Sequence, residues 1–174
     1  VVSGLTVQDP RTRPMQHAQA ADQQHAQFLD PRSDFMAWLK LWRWLEGERK
    51  TLSGNQFRRR LEKRFLNYLR IREWREVHRQ LRLTCRDLGW RSNSQAASFS
   101  AIHESILSGS LSLIAQHSEK GVFIGARNLK LRVFPGSGLA AKPPKWIVAA
   151  EIAETARVYA RTVAKLDPRW IERH

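Results

Sequence analysis

Hydrophobic positions recur at helical spacing through the first two thirds of this 174-residue chain, and at every second position in part of the remainder. Phe35, Trp38, Leu39, Trp42 and Leu45 fall on one stripe, which predicts a helix over Phe35–Leu45. The turn-forming run Asp30-Pro31-Arg32-Ser33 precedes it, so Ser33 or Asp34 is its expected cap. Trp44 lies off the stripe and is expected to pack on a neighbouring element. Tryptophans so spaced read as core rather than as stacking platforms. Met15 to Phe28, rich in Gln and Ala, predicts an earlier helix with a polar outer face. After a break at Thr51–Asn55 the pattern predicts helices over Gln56–Arg64 and Leu66–Leu88, the latter closed by Gly89. On it Trp74, Val77, Leu81, Cys85 and Leu88 share an expected core face, Cys85 being buried and inert. Ser98 to Leu107 predicts a short helix closed by Ser108-Gly109.

The period then changes. Leu129, Leu131 and Val133 alternate with Lys130, Arg132 and Phe134, the signature of a half-buried strand. Leu111–His117 and Val122–Ala126 are candidates for two earlier strands. Trp146 to Leu166 supports both periods: its Ala and Glu content favours helix, yet Arg157, Tyr159, Arg161, Val163 and Lys165 alternate with smaller residues. Composition alone predicts a helix there.

Composition fits an ordinary globular chain, 42% hydrophobic and 26% charged, and argues against disorder. The lone Cys85 excludes an intrachain disulfide and suits a reducing cytoplasm. The longest apolar run, Trp146–Ala150, is far short of the roughly 20 residues of a membrane span. The opening Val-Val-Ser-Gly has no leader-like basic region and reads as the interior of a longer protein.

Charge changes the picture more. Thirty Lys and Arg face sixteen Asp and Glu, a net charge of +14, and two blocks hold the excess. Residues 49–91 carry fourteen basic and four acidic side chains, and residues 126–174 carry ten and four. Clustering of this size points to a polyanion such as nucleic acid. Within the first block, Arg72, Arg75, Arg79, Arg82 and Arg86 recur at steps of three and four and form a ladder along one helix side. Like charges so aligned destabilise a helix unless an anion or acidic surface meets them. A phosphate backbone would do so, as would carboxylates elsewhere in the bundle.

Catalytic chemistry is not signalled. Gly136-Ser137-Gly138 with Lys142 lacks phosphate-loop spacing, no G-x-x-x-x-G-K-[ST] string occurs, and the histidines never stand four apart. No catalytic residue, metal or cofactor is assigned to this chain.

Several runs resemble one family. Phe65-Leu66-Asn67-Tyr68-Leu69-Arg70 and Val77-His78-Arg79-Gln80-Leu81 resemble the ratchet-like helical segment of DEAH-box RNA helicases. Leu5-Thr6-Val7-Gln8-Asp9-Pro10-Arg11 resembles the end of their winged-helix domain. Phe134-Pro135-Gly136-Ser137, Pro144-Lys145-Trp146-Ile147-Val148 and Asp167-Pro168-Arg169-Trp170 resemble their closing OB-fold. Gly125-Ala126-Arg127-Asn128 and Lys142-Pro143-Pro144-Lys145-Trp146 are most similar to the bacterial HrpA type.

The resemblance implies an α+β chain in which a helical bundle precedes a small five-stranded OB-fold barrel. Residues 1–14 would end the winged-helix domain, 15–109 form the ratchet-like domain and 110–174 the barrel. It replaces the helix over 146–166 by two strands turning near Ala153–Ala156. It also implies single-stranded RNA, possibly DNA, as partner, held on strands 2 and 3 and their flanking loops. The implied contacts are Arg127, Lys130, Arg132, Phe134, Ser137, Lys142, Lys145, Thr155, Arg157, Tyr159 and Arg161, with Glu119-Lys120 in the first loop. Phe134 and Tyr159 are the candidates for base stacking. ATP and Mg²⁺ would belong to motor domains outside this chain. Those RecA-like domains and the winged-helix domain would be its other partners in a cytoplasmic monomer without membrane contact. The rival expectation is a protein-docking or autoregulatory platform with no direct RNA contact.

Overall fold

Ser33 accepts the Met36 N–H at 3.2 Å, and the helix it caps, α3, runs Asp34–Thr51. It therefore continues six residues past Leu45, through the charged Glu46–Lys50 stretch that the apolar stripe did not reach. The computed structural model describes residues 1–172 and divides them into two compact units. One holds residues 1–29 and 37–92, the other residues 30–36 and 93–172. The units cut the chain differently from the domains expected at 15–109 and 110–174. The short helix near residue 100 groups with the barrel, as does the 30–36 segment.

The first unit contains α1 (Val2–Leu5), α2 (Ala18–His25), most of α3, α4 (Gly54–Lys63) and α5 (Tyr68–Asp87). Its core is Phe28, Trp38, Leu41, Leu45, Phe57, Leu61, Leu66, Ile71 and Trp74, so Trp38 and Leu45 of the expected stripe are buried here, while Trp42 is half-buried against them. Trp44 packs edge-on against Phe28, with ring centroids 5.6 Å apart. Trp74 lies edge-on to Trp38 at 5.0 Å, and its indole N–H donates to Ser3 Oγ at 3.0 Å. Gly4 completes this cluster, because a Cβ there would stand 2.7 Å from the Trp38 ring. Ser53 and Gln56 cap α4 reciprocally, and Asn67 caps α5 by accepting the Arg70 N–H. α5 departs from expectation in its second half. Only Ile71 and Trp74 are buried; Val77 and Cys85 are half-buried, and Leu81 and Leu88 are exposed. The apolar face is real, but after Trp74 this unit does not cover it.

The second unit contains α6 (Phe99–Ser108), capped by Ser98, and five strands: β1 (Ile114–His117), β2 (Phe123–Ile124), β3 (Lys130–Val133), β4 (Trp146–Glu154) and β5 (Val158–Lys165). A short α7 (Pro168–Ile171) follows. The strands close into a barrel in the order β1-β2-β3-β5-β4. All neighbours are antiparallel except β3 and β5, which run parallel. The helix that composition predicted over 146–166 is thus two paired strands. Backbone pairing around the barrel outweighs the Ala and Glu preference, and Ala149, Ala160 and Val163 are small enough to fill the interior. The two earlier candidates shorten: Leu111–Leu113 is a 3₁₀ turn, and β2 ends at Ile124. Residues 30–36 belong to this unit through specific bonds. Arg32 O accepts the Lys165 N–H, and Asp34 accepts the Gly138 N–H on Oδ1 and the Val163 N–H on Oδ2, each at 3.0 Å.

Candidate nucleic-acid interface

Alternation along β3 turns Leu131 and Val133 inward and Arg132 outward, and in β5 it sets buried Ala160 between Tyr159 and exposed Arg161, while the left-handed Thr162 interrupts the alternation ahead of buried Val163. The parallel register places Arg132 beside Tyr159. Phe134 leaves the end of β3 exposed and lies edge-on to Tyr159, ring centroids 5.9 Å apart. The Arg161 guanidinium sits 4.8 Å from the Phe134 ring centre. One aromatic face and edge are thereby held between a second ring and a cation, without burial.

Two loops frame this surface. In the β1–β2 turn, Lys120 and Gly121 both have positive φ, and the Lys120 carbonyl accepts from Arg132 Nη1 at 3.2 Å. In the β4–β5 turn, Thr155 Oγ1 donates to the Arg157 carbonyl at 3.0 Å and shapes the tip, leaving the Arg157 side chain exposed. A depression of about 320 Å³ is lined by Gly121, Arg132, Pro135, Pro143, Arg157 and Tyr159. It can take a flat ring against Tyr159 while two guanidinium groups meet anionic oxygens.

The structure therefore brings Arg132, Phe134, Thr155, Arg157, Tyr159 and Arg161 to one side of the barrel. Of these, Arg132, Arg157 and Tyr159 line the depression, Phe134, Thr155 and Arg161 standing beside it, and the remaining expected contacts lie elsewhere. Arg127 is exposed at φ +55° in the 3₁₀ turn Ala126–Asn128, and Lys130 is exposed where β3 pairs with β2. Ser137 Oγ accepts the Leu139 N–H and serves its own loop. Lys142 is exposed, and Lys145 lies by β1, its carbonyl accepting the His117 N–H. Gly121, Pro135 and Pro143 belong to the lining but carry no charge or aromatic ring, so nothing in their residue type marks them.

The ladder of the first unit follows α5, and carboxylates meet three of its rungs. Arg75 Nε stands 3.3 Å from Glu46 Oε1, and Arg86 Nε 3.6 Å from Asp87 Oδ1. Arg79 donates to both oxygens of Glu76, at 3.0 and 2.5 Å. That fork, with a further bond from Gln80, holds the Glu76 carboxyl down at about 2. Among the described residues Arg72 and Arg82 carry no ion pair. No helix among the described residues is long and apolar enough to cross a membrane.

Comparison with known proteins agrees with this geometry. Residues 102–174 match the oligonucleotide/oligosaccharide-binding (OB)-fold family. Over 173 residues, 99% of its length, the chain is 49% identical to the ATP-dependent RNA helicase HrpA homolog of Haemophilus influenzae and 46% identical to the ATP-dependent RNA helicase HrpA of Escherichia coli. Over 98% of its length it is 24% identical to the pre-mRNA-splicing factor ATP-dependent RNA helicase prp22 of Schizosaccharomyces pombe. The chain spans 13% of the length of each of the first two and 14% of the third.

Proposed function

We propose that this chain, similar to HrpA-type helicases over 99% of its length, holds single-stranded RNA on the outer face of β3 and β5 while a motor elsewhere in the longer protein hydrolyses ATP with Mg²⁺. The observation that carries the reading is the Phe134–Tyr159–Arg161 cluster beside Arg132 and Arg157. Rings accept any base by stacking, and guanidinium groups accept any phosphate, so the surface grips a strand without reading its sequence. The basic excess of residues 49–91 adds attraction at longer range, with Arg72 and Arg82 its two unmatched ladder cations. In the parent protein, the RecA-like and winged-helix domains would deliver the strand to this face in the cytoplasm, the whole acting as a monomer.

The test is fluorescence anisotropy of the 174-residue chain with a labelled twelve-nucleotide oligo-U and with a duplex of equal length. Preferential binding of the single strand, weakened together by Phe134→Ala and Arg132→Glu, supports the reading. Equal affinity of both variants and the parent chain for the single strand would remove the barrel face from the RNA path.

A further inference from the structure

We propose that the helical unit carries a docking pocket for an acidic protein segment that presents one large apolar side chain. A cavity of about 270 Å³ opens in this unit where Phe57 of α4 and Ile71 of α5 form nearly buried walls, 6% and 1% exposed. Leu52 and Tyr68, both half-buried, complete its apolar lining. The volume lies just below the range of about 300–1,000 Å³ typical of sites for whole small ligands. It suits a single anchoring side chain, the unit from which protein hot spots are built.

Charge specifies what surrounds that anchor. Arg49, Arg72 and Arg75 also line the cavity, and the same three line a wider groove along α5 where Leu69 and Leu81 are exposed. Among the described residues Arg49 and Arg72 carry no ion pair. Among the described residues Arg75 is ion-paired with Glu46 alone. Although the two stand 3.3 Å apart, both Arg75 Nε and Glu46 Oε1 are buried without a hydrogen bond. Three guanidinium groups bordering one apolar recess repel each other, and carboxylates flanking an inserted side chain would relieve that repulsion through charge-assisted bonds. A nucleobase fits less well. Its polar edges would face the aliphatic and aromatic carbon of Leu52, Phe57 and Ile71, leaving buried polar groups unpaired. An aromatic or leucyl side chain asks for no such partner.

The experiment uses the 174-residue chain and three labelled probes: a twelve-residue Asp/Glu/Ser peptide with one central Trp, the same peptide with Ala at the centre, and a twelve-nucleotide oligo-U. Binding of the Trp peptide, weakened at least tenfold by the Ala replacement, is expected. Gly54 borders the pocket at the exposed start of α4, and a Cβ there meets nothing within 4 Å, so Gly54→Leu can occlude the pocket without displacing core atoms. Gly54→Leu should weaken the Trp peptide at least tenfold and leave oligo-U affinity unchanged. Arg72→Glu, an exposed substitution, should weaken the peptide by a similar factor, and an unchanged melting temperature verifies the fold of each variant. Equal binding of the Trp and Ala peptides would reduce the interaction to charge alone and overturn the proposal. So would oligo-U, rather than the peptide, being the probe sensitive to Gly54→Leu.

Discussion

The Ser33 hydroxyl donates a hydrogen bond of 2.6 Å to Nε2 of His103, seventy positions further along the chain. The opposite ring nitrogen, Nδ1, donates to the Phe99 carbonyl at 2.6 Å, which fixes the neutral tautomer because a carbonyl can only accept. Both residues are fully buried, and burial pushes the imidazole pKa below its ordinary 6.5. Burial lowers His25 and His78 as well. Below about pH 6.5 the unfolded chain takes up protons that the folded chain refuses. Stability is therefore complete above that pH and declines as pH falls through it. Urea midpoints measured from pH 8 to 5 should decrease, and His103→Gln should make the decline shallower whatever its effect at pH 8.

Asp34 is bound as a two-armed acceptor. Its oxygens take the N–H groups of Gly138 and Val163, so an amide in its place must aim NH₂ at one of two donors. Asp34→Asn should cost about 1–3 kcal/mol, the range for leaving a buried polar group unpaired, read from denaturant unfolding.

Gly4 leaves no room for a methyl group against Trp38. Gly4→Ala should lower stability by about 1–3 kcal/mol through overpacking, seen as a lower melting temperature and altered tryptophan emission.

Thr162 sits in β5 at φ +50°, a left-handed conformation that a β-branched residue adopts only under strain. Thr162→Asn, which tolerates that region, should raise stability by about 1 kcal/mol in the same unfolding assay.

The barrel face predicts a salt signature. Neutralising Arg132, Arg157 or Arg161 singly should reduce the slope of log affinity against log salt by about one each for oligo-U. Phe134→Ala should weaken binding by about 1–3 kcal/mol while leaving that slope intact, since stacking releases no counterions.

The elements differ in how plainly residue order announces them. The α3 stripe and the β3 alternation each fit one period, and Trp38, Leu45, Leu131 and Val133 are buried as that period requires, with Leu39 and Trp42 half-buried at the stripe's margin. The continuation of α5 shows the limit of periodicity: Leu81 and Leu88 fall on the apolar face yet remain exposed, because amphipathic spacing defines a face and not its cover. Residues 146–166 are ambiguous in sequence because alanine suits both a helix and a narrow barrel interior, and antiparallel pairing makes them strands. Among the basic residues, the positions of the ladder were evident, but the Glu46 that meets Arg75 lies 29 positions away and on another helix. Arg132, Tyr159 and Arg161 could be anticipated from alternation. The uncharged lining from Gly121, Pro135 and Pro143 depends on loop paths that no local pattern encodes.

The assignment of residues 30–36 to the barrel unit makes that unit discontinuous in the chain. During synthesis Ser33 and Asp34 emerge early, then wait while more than a hundred further residues are made before Val163 arrives to meet them. Loop closure over such a span is slow, so the barrel should be the last part to mature and the helical unit the first. A barrel excised at residue 93 would be born with His103 Nε2 and the amides of Gly138 and Val163 already orphaned. Supplying the 30–36 heptapeptide in trans is then the natural route to rescue it.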